Sequence, residues 1–174
     1  DSALHFPDFR AAERTFQLVT QVAGRTGRGD RGGRVIVQTF TPEHPAIQAA
    51  ARHDYLKFVE DEMVNRKKFN YPPLGSVARI IIRGPLEDKT ESVADAIVDR
   101  LEKARDLLNA EVRILGPAPP PIVKISGKYR FHLLLQATEA AVVGEVIRRG
   151  LADFKVDPKE EIEFLVDIDP VNLM

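Results

Sequence analysis

The sequence contains no cysteine and no tryptophan, and only two of its residues are methionine. Without a thiol there can be neither a disulfide framework nor a thiolate zinc site within the chain. Four histidines, His5, His44, His53 and His132, are scattered without metal-ligand spacing, so no bound metal is expected here. Each reads as a surface or half-buried imidazole. Nor is there a run approaching the roughly 18 apolar residues of a membrane helix. The first twenty residues also lack the basic start and apolar stretch of a secretion signal. No membrane association is expected, and the cytoplasm is the simplest compartment.

An excess of charge of one sign is also missing, the formal net charge being −1. The distribution is more informative. Residues 25–34 carry Arg25, Arg28, Arg31 and Arg34 among four glycines and a single aspartate, while residues 153–169 are acidic. A polyanion would meet particular loops and not the whole surface. With 44% hydrophobic and 29% charged residues, the chain can bury a core and remain soluble.

Periodicity divides the chain. Residues 1–8 follow neither a helical nor a strand period and read as a loop cut from a larger domain. Ala12, Phe16, Val19 and Ala23 recur at helical spacing, and glycines from Gly24 to Gly33 are expected to break that helix into a loop. Arg34 to Phe40 alternates like a strand. Thr41-Pro42-Glu43 offers a helix start with a hydroxyl cap, opening a helical region from about Pro45 to Phe69, whole or in two pieces. Tyr71-Pro72-Pro73 ends it, since proline disfavours helix at the preceding residue. Beyond lie a strand (76–83), an amphipathic helix (88–109) with Val93, Ile97, Leu101, Ala104 and Leu108 on one stripe, a short strand (112–115), strands at 122–125 and 129–136 around Ser126-Gly127, a helix from a Thr138 cap to about Phe154, and a last strand (162–168). This βαββαβ order is that of ferredoxin-like domains.

Chemistry concentrates in Gln21-Val22-Ala23-Gly24-Arg25-Thr26-Gly27-Arg28. Arginine carries a permanent charge and a rigid fork of donors, so two arginines in a glycine-broken loop suit a phosphate. The plainer alternative is a basic surface loop paired with carboxylates such as Asp30. A second group is Lys124, Lys128 and Arg130 around Gly127, interleaved with Tyr129 and Phe131, which is the pattern of charge plus stacking platform used on single strands. Alternation equally puts Tyr129 and Phe131 on one face, where core packing would claim them. Pro117–Pro121 reads as a stiff connector rather than a recognition segment. Asp167 and Asp169, two residues apart with no third ligand in view, read as a solvated strand end rather than a metal site.

Gln21 to Arg28 resembles the Q-x-x-G-R-x-G-R motif of superfamily-two helicases. Pro7 to Arg14, Tyr71-Pro72-Pro73, Ile114 to Pro119, Tyr129-Arg130-Phe131 and Asp167 to Pro170 extend a likeness to the primosomal protein N′ family of replication-restart DNA helicases over nearly the whole chain. The resemblance implies an α+β (α/β) chain in three parts. Residues 1–45 would end a RecA-like second helicase lobe, 46–73 would be a helical connector, and 74–174 a ferredoxin-like domain that binds DNA and partners. It implies an ATP-dependent 3′-to-5′ helicase that restarts stalled forks and helps assemble the primosome. Gln21, Arg25 and Arg28 would face the ATP γ-phosphate, with Arg25 and Arg28 as arginine fingers. ATP and magnesium would be held mostly by a first lobe elsewhere in the parent, and zinc by cysteines upstream. No G-x-x-x-x-G-K-[ST] occurs here, so the chain alone is expected to bind no cofactor and to be inactive. Implied partners are single-stranded or branched DNA, single-stranded-DNA-binding protein and other primosome proteins. Ala140, Ala141 and Gly144 depart from the basic and glutamine pattern of the family at the start of the last helix. Two other readings stand beside this one: a superfamily-two enzyme acting on RNA, and a non-enzymatic nucleic-acid or protein-binding module.

Overall fold

The structure, a computed structural model, describes residues 1, 4–26 and 34–173. It divides into two compact units, Asp1–Phe69 with Leu173, and Asn70–Asn172.

Three helices make up the described elements of the first unit: α1 (Ala11–Thr26), α2 (Pro45–Ala51) and α3 (Tyr55–Phe69). Their small core is Phe16, Ala46, Ala49, Ala50 and Phe58, with the Phe16 and Phe58 rings stacked at 4.4 Å. An ion pair ties α1 to α3, because Glu13 accepts from Arg66 at 2.7 Å, and the same carboxylate also accepts from Arg10 at 2.7 Å, one residue before α1. These two guanidiniums, Arg10 the more strongly, hold the Glu13 carboxyl below its ordinary range against the opposing effect of burial.

Several local expectations are corrected here. Gly24 does not break the helix. It lies inside α1, with open space where a side chain would be. Residues 34–39 form no strand. A strand needs a neighbour for its backbone groups, and none of the described residues provides one; Ile36 is 80% exposed and Phe40 92%. Thr41 does not cap α2. That helix begins at Pro45, and the Nδ1 atom of His44 accepts from the Ala46 amide at 3.2 Å. The helical region is indeed in two pieces. His53 adopts a φ of 54° between them, and the Asp54 carboxylate accepts from the Lys57 amide at 2.9 Å to start α3.

The second unit is the α+β domain. Its elements are β1 (Ser76–Gly84), α4 (Glu87–Leu107), β2 (Arg113–Ala118), β3 (Lys124–Ile125), β4 (Lys128–Ala137), α5 (Ala140–Leu151) and β5 (Glu163–Ile168). The sheet runs β2-β4-β1-β5 with β3 added to β4, and every pairing is antiparallel. Setting aside the two-residue β3, this is the 4-1-3-2 order of a ferredoxin-like fold.

Both helices cover one face of this sheet. Helix α4 turns Thr90, Ala94, Ile97, Leu101 and Ala104 inward, a 3.5-residue period. Val93 is only partly buried, and Leu108 is the C-cap, 37% exposed, so the stripe is shifted from the expected one. Helix α5 buries Val143, Val146 and Ile147. Its N-cap is Glu139 and not Thr138, with no side-chain hydrogen bond at the cap. From the sheet come Ala78, Ile80, Ile82, Phe131, Leu133 and Leu135, all buried. Gly116, at φ +102°, is required for close approach, since a Cβ there would lie 2.6 Å from the His132 carbonyl oxygen.

Candidate nucleic-acid interface

Strand alternation forces every second residue of this sheet away from the helices. The β1–β4 and β1–β5 registers therefore place Arg79, Ile81 and Arg83 of β1, Lys128, Arg130, His132 and Leu134 of β4, and Glu163, Leu165 and Asp167 of β5 on the open face. The β2 register adds Arg113 opposite Gln136. Five cationic side chains thus stand against two carboxylates on this face, within a chain whose net charge is −1; Arg79 is buried, and the other four are at least partly exposed.

The geometry is specific at one end. Arg83 pairs with Glu163 on one side and Arg130 on the other. The Glu163 Oε1 atom accepts from Arg83 Nε at 2.9 Å and from Lys128 Nζ at 2.5 Å. Lys128, then Arg83, hold the Glu163 carboxyl below its ordinary range. A groove of about 440 Å³ opens here, lined by Ile81, Arg83, Lys128, Arg130, Glu163 and Leu165 among others. Arg130 Nη2 lies 3.1 Å from His132 Nε2. Burial, followed by repulsion from Arg79 and Arg83, lowers the Arg130 guanidinium from its ordinary value. Burial also pushes the His132 imidazole down to about 4, with Arg130 and Arg79 adding to the effect.

His132 is therefore neutral in the folded protein at neutral pH. As pH falls below about 6.5 the unfolded chain takes up a proton that the folded chain refuses until about 4. Stability should be fully present above 6.5 and decline between those values, by something on the order of 1–2 kcal/mol after allowance for solvent screening. Urea midpoints measured at pH 7 and pH 4.5 would converge for His132→Gln relative to the parent chain. An undiminished pH difference in that variant would assign the loss to carboxylates.

The three expected DNA-contact residues are not all brought together. Lys128 and Arg130 share the open face, but Lys124 is opposite Tyr129 in the β3–β4 hairpin, with its Nζ 4.3 Å from the centre of that ring. Phe131 is no stacking platform. It is 4% exposed and belongs to the core, because odd positions of β4 face the helices. Asp167 pairs with Arg79 at 3.4 Å. Asp169 accepts from the Ser76 hydroxyl at 2.8 Å and the Val77 amide at 3.0 Å, closing the sheet end. Pro117 sits in β2, an edge strand, where its missing N–H costs no ladder bond. Sequence reasoning missed Arg83 and Glu163. The signal for Arg83 was present in the alternation of Arg79-Ile80-Ile81-Ile82-Arg83, which puts both arginines on the face opposite Ile80 and Ile82, whereas Glu163 meets Arg83 only through the β1–β5 pairing.

At the other candidate site, Gln21 and Arg25 are both exposed on α1, one helical turn apart and so on one face. Arg28 lies outside the described residues.

An antiparallel α+β domain of ferredoxin-like strand order with a positively charged open face is the class of protein defined by these features. Residues 67–171 match the primosomal protein N C-terminal domain, and the chain belongs to that family, the C-terminal part of replication restart protein PriA. It is 39% identical over 173 residues to the replication restart protein PriA of Synechocystis sp., covering 99% of this chain and 20% of that protein. Against the Bacillus subtilis protein of the same name it is 35% identical over 175 residues, covering 100% and 21%. Against that of Treponema pallidum it is 39% identical over 174 residues, covering 100% and 26%. The chain thus spans about a fifth to a quarter of the length of these relatives. No described helix is long and apolar enough to cross a membrane.

Proposed function

We propose that this chain acts in replication restart in the cytoplasm as part of an ATP-dependent 3′-to-5′ DNA helicase that also helps assemble the primosome. In that reading Gln21, Arg25 and Arg28 approach the γ-phosphate of ATP from the second helicase lobe. The exposed, helix-mounted Gln21–Arg25 pair suits that role, since a guanidinium fork matches phosphate oxygens. Bound ATP with magnesium would supply the phosphoryl chemistry, and zinc would sit elsewhere in the parent, as this chain has no thiolate to offer. The chain by itself contributes one wall of the nucleotide site and turns over nothing. Single-stranded-DNA-binding protein and other primosome proteins are further proposed partners, without assigned residues.

The second unit, in this proposal, holds single-stranded or branched DNA. The observation that carries it is the excess of cations over carboxylates on the open sheet face, with four cations at least partly exposed against two carboxylates. The same charge would attract RNA, so both nucleic acids belong in the test. Lys128 and Arg130 contact phosphates from the sheet, and Lys124 from the margin of the hairpin. With about three phosphates neutralised, log affinity for a labelled single-stranded oligonucleotide should fall against log salt with a slope near −2. Replacing Lys124 and Lys128 by alanine should flatten the slope by roughly one unit and weaken all sequences alike, because phosphate contacts carry no sequence information. Fluorescence anisotropy over a salt series reads this. An unchanged slope in the double variant would remove the hairpin from the interface.

A further inference from the structure

The open face holds an arrangement whose purpose the fold does not require. Arg83 and Lys128 come from neighbouring strands, and both direct their nitrogens at one oxygen of Glu163 on the third strand. Two converging cations around a single oxygen is how a phosphate oxygen would be received. Here the oxygen belongs to the protein. Arg83 and Glu163 are about half exposed, at 54% and 47%, and Lys128 is 38% exposed. Ion pairs so exposed contribute little to stability, so the network can be opened without endangering the domain. Arg130, next to Arg83 across the ladder, has no carboxylate among its named partners and adds a third charge at the rim of the groove.

Resting on the reading of this face as a nucleic-acid contact, we propose that Arg83 and Lys128 form a phosphate seat for single-stranded DNA and that Glu163 is its resident competitor, displaced when the strand binds. Single-stranded DNA is the occupant favoured by charge complementarity. The face carries an excess of cations over carboxylates, and phosphates are the part of a strand that cations recognise. Ile81 and Leu165 floor the groove between the charges. Glu163 therefore sets the affinity of the site: each binding event exchanges a carboxylate for a phosphate and does not fill an empty seat. The carboxylate is ionised throughout the neutral range, because both cations favour its charged form, so the competition is constant and not switched by pH.

Anisotropy titrations of the whole chain with a labelled oligo-dT at low salt test this. Glu163→Gln should bind about threefold to tenfold more tightly and with a steeper salt slope, by about 0.7 for one additional neutralised phosphate. Glu91→Gln, an exposed carboxylate on α4, should leave the affinity unchanged and controls for net charge. Arg83→Ala with Lys128→Ala should bind several-fold more weakly, and circular dichroism would verify that the sheet survives. If Glu163→Gln binds like the parent or more weakly while the double variant loses affinity, the competitor role is overturned and the nucleic-acid reading stands. Equal gains from Glu163→Gln and Glu91→Gln also overturn it, reducing the effect to bulk charge. If the double variant binds as the parent does, or no variant binds, both the seat and the reading beneath it fall.

Discussion

Arg25→Ala in the full-length parent should lower ATP turnover by something on the order of 10³-fold while changing nucleotide binding much less. A positioned arginine acts on charge that develops only in the transition state, so its loss appears in kcat rather than in ground-state affinity. Gln21 offers an internal comparison. It lies one turn away on the same face of α1, but its uncharged amide cannot offset phosphate charge, so Gln21→Ala should cost less. Phosphate release and nucleotide binding measured side by side separate the two effects. A normal kcat in Arg25→Ala would remove it from the finger role. The 174-residue chain alone should release no phosphate above the level of an Arg25→Ala, Arg28→Ala double variant, with or without single-stranded DNA.

The other large effect is expected in the core. Leu133 is fully buried among Ile80, Ile97, Leu101 and Val143, and truncating it leaves a cavity that close-packed neighbours fill only in part. Leu133→Ala should cost about 2–5 kcal/mol. Leu134, the next residue, points to the open face, and Leu134→Ala should cost below about 1.5 kcal/mol. Hydrogen exchange of the β4 amides reads the difference directly, because these bonds open only when the sheet does. Equal costs at the two positions would mean that the assignment of faces on β4 is wrong.

Much of the domain was legible in the residues alone. The strand from Ser76, the helix over 87–107 and the βαββαβ order follow from hydrophobic periods that each element must satisfy by itself, since a helix with one apolar stripe has one way to bury it. The helical setting of Arg25 was not, because Gly24 suggested a loop there, whereas α1 runs through it to Thr26 and so puts Arg25 one turn from Gln21; a single glycine lowers helix propensity without forbidding helix. Nor were the caps. Thr41 and Thr138 have the right chemistry, but His44 and Glu139 occupy the positions where the chain enters α2 and α5.

The residues alone determined the α+β class, the family motif and the absence of a thiolate metal site. Only the tertiary structure decided which charges meet. Strand pairing sets Arg83 between Glu163 and Arg130, residues 80 and 47 positions away, and no local pattern can report a neighbour that distant. The same pairing removes Phe131 from the binding face and turns Lys124 away from Lys128. A period of two states only that adjacent residues face opposite ways; which face is core is settled where α4 and α5 come to rest on the sheet.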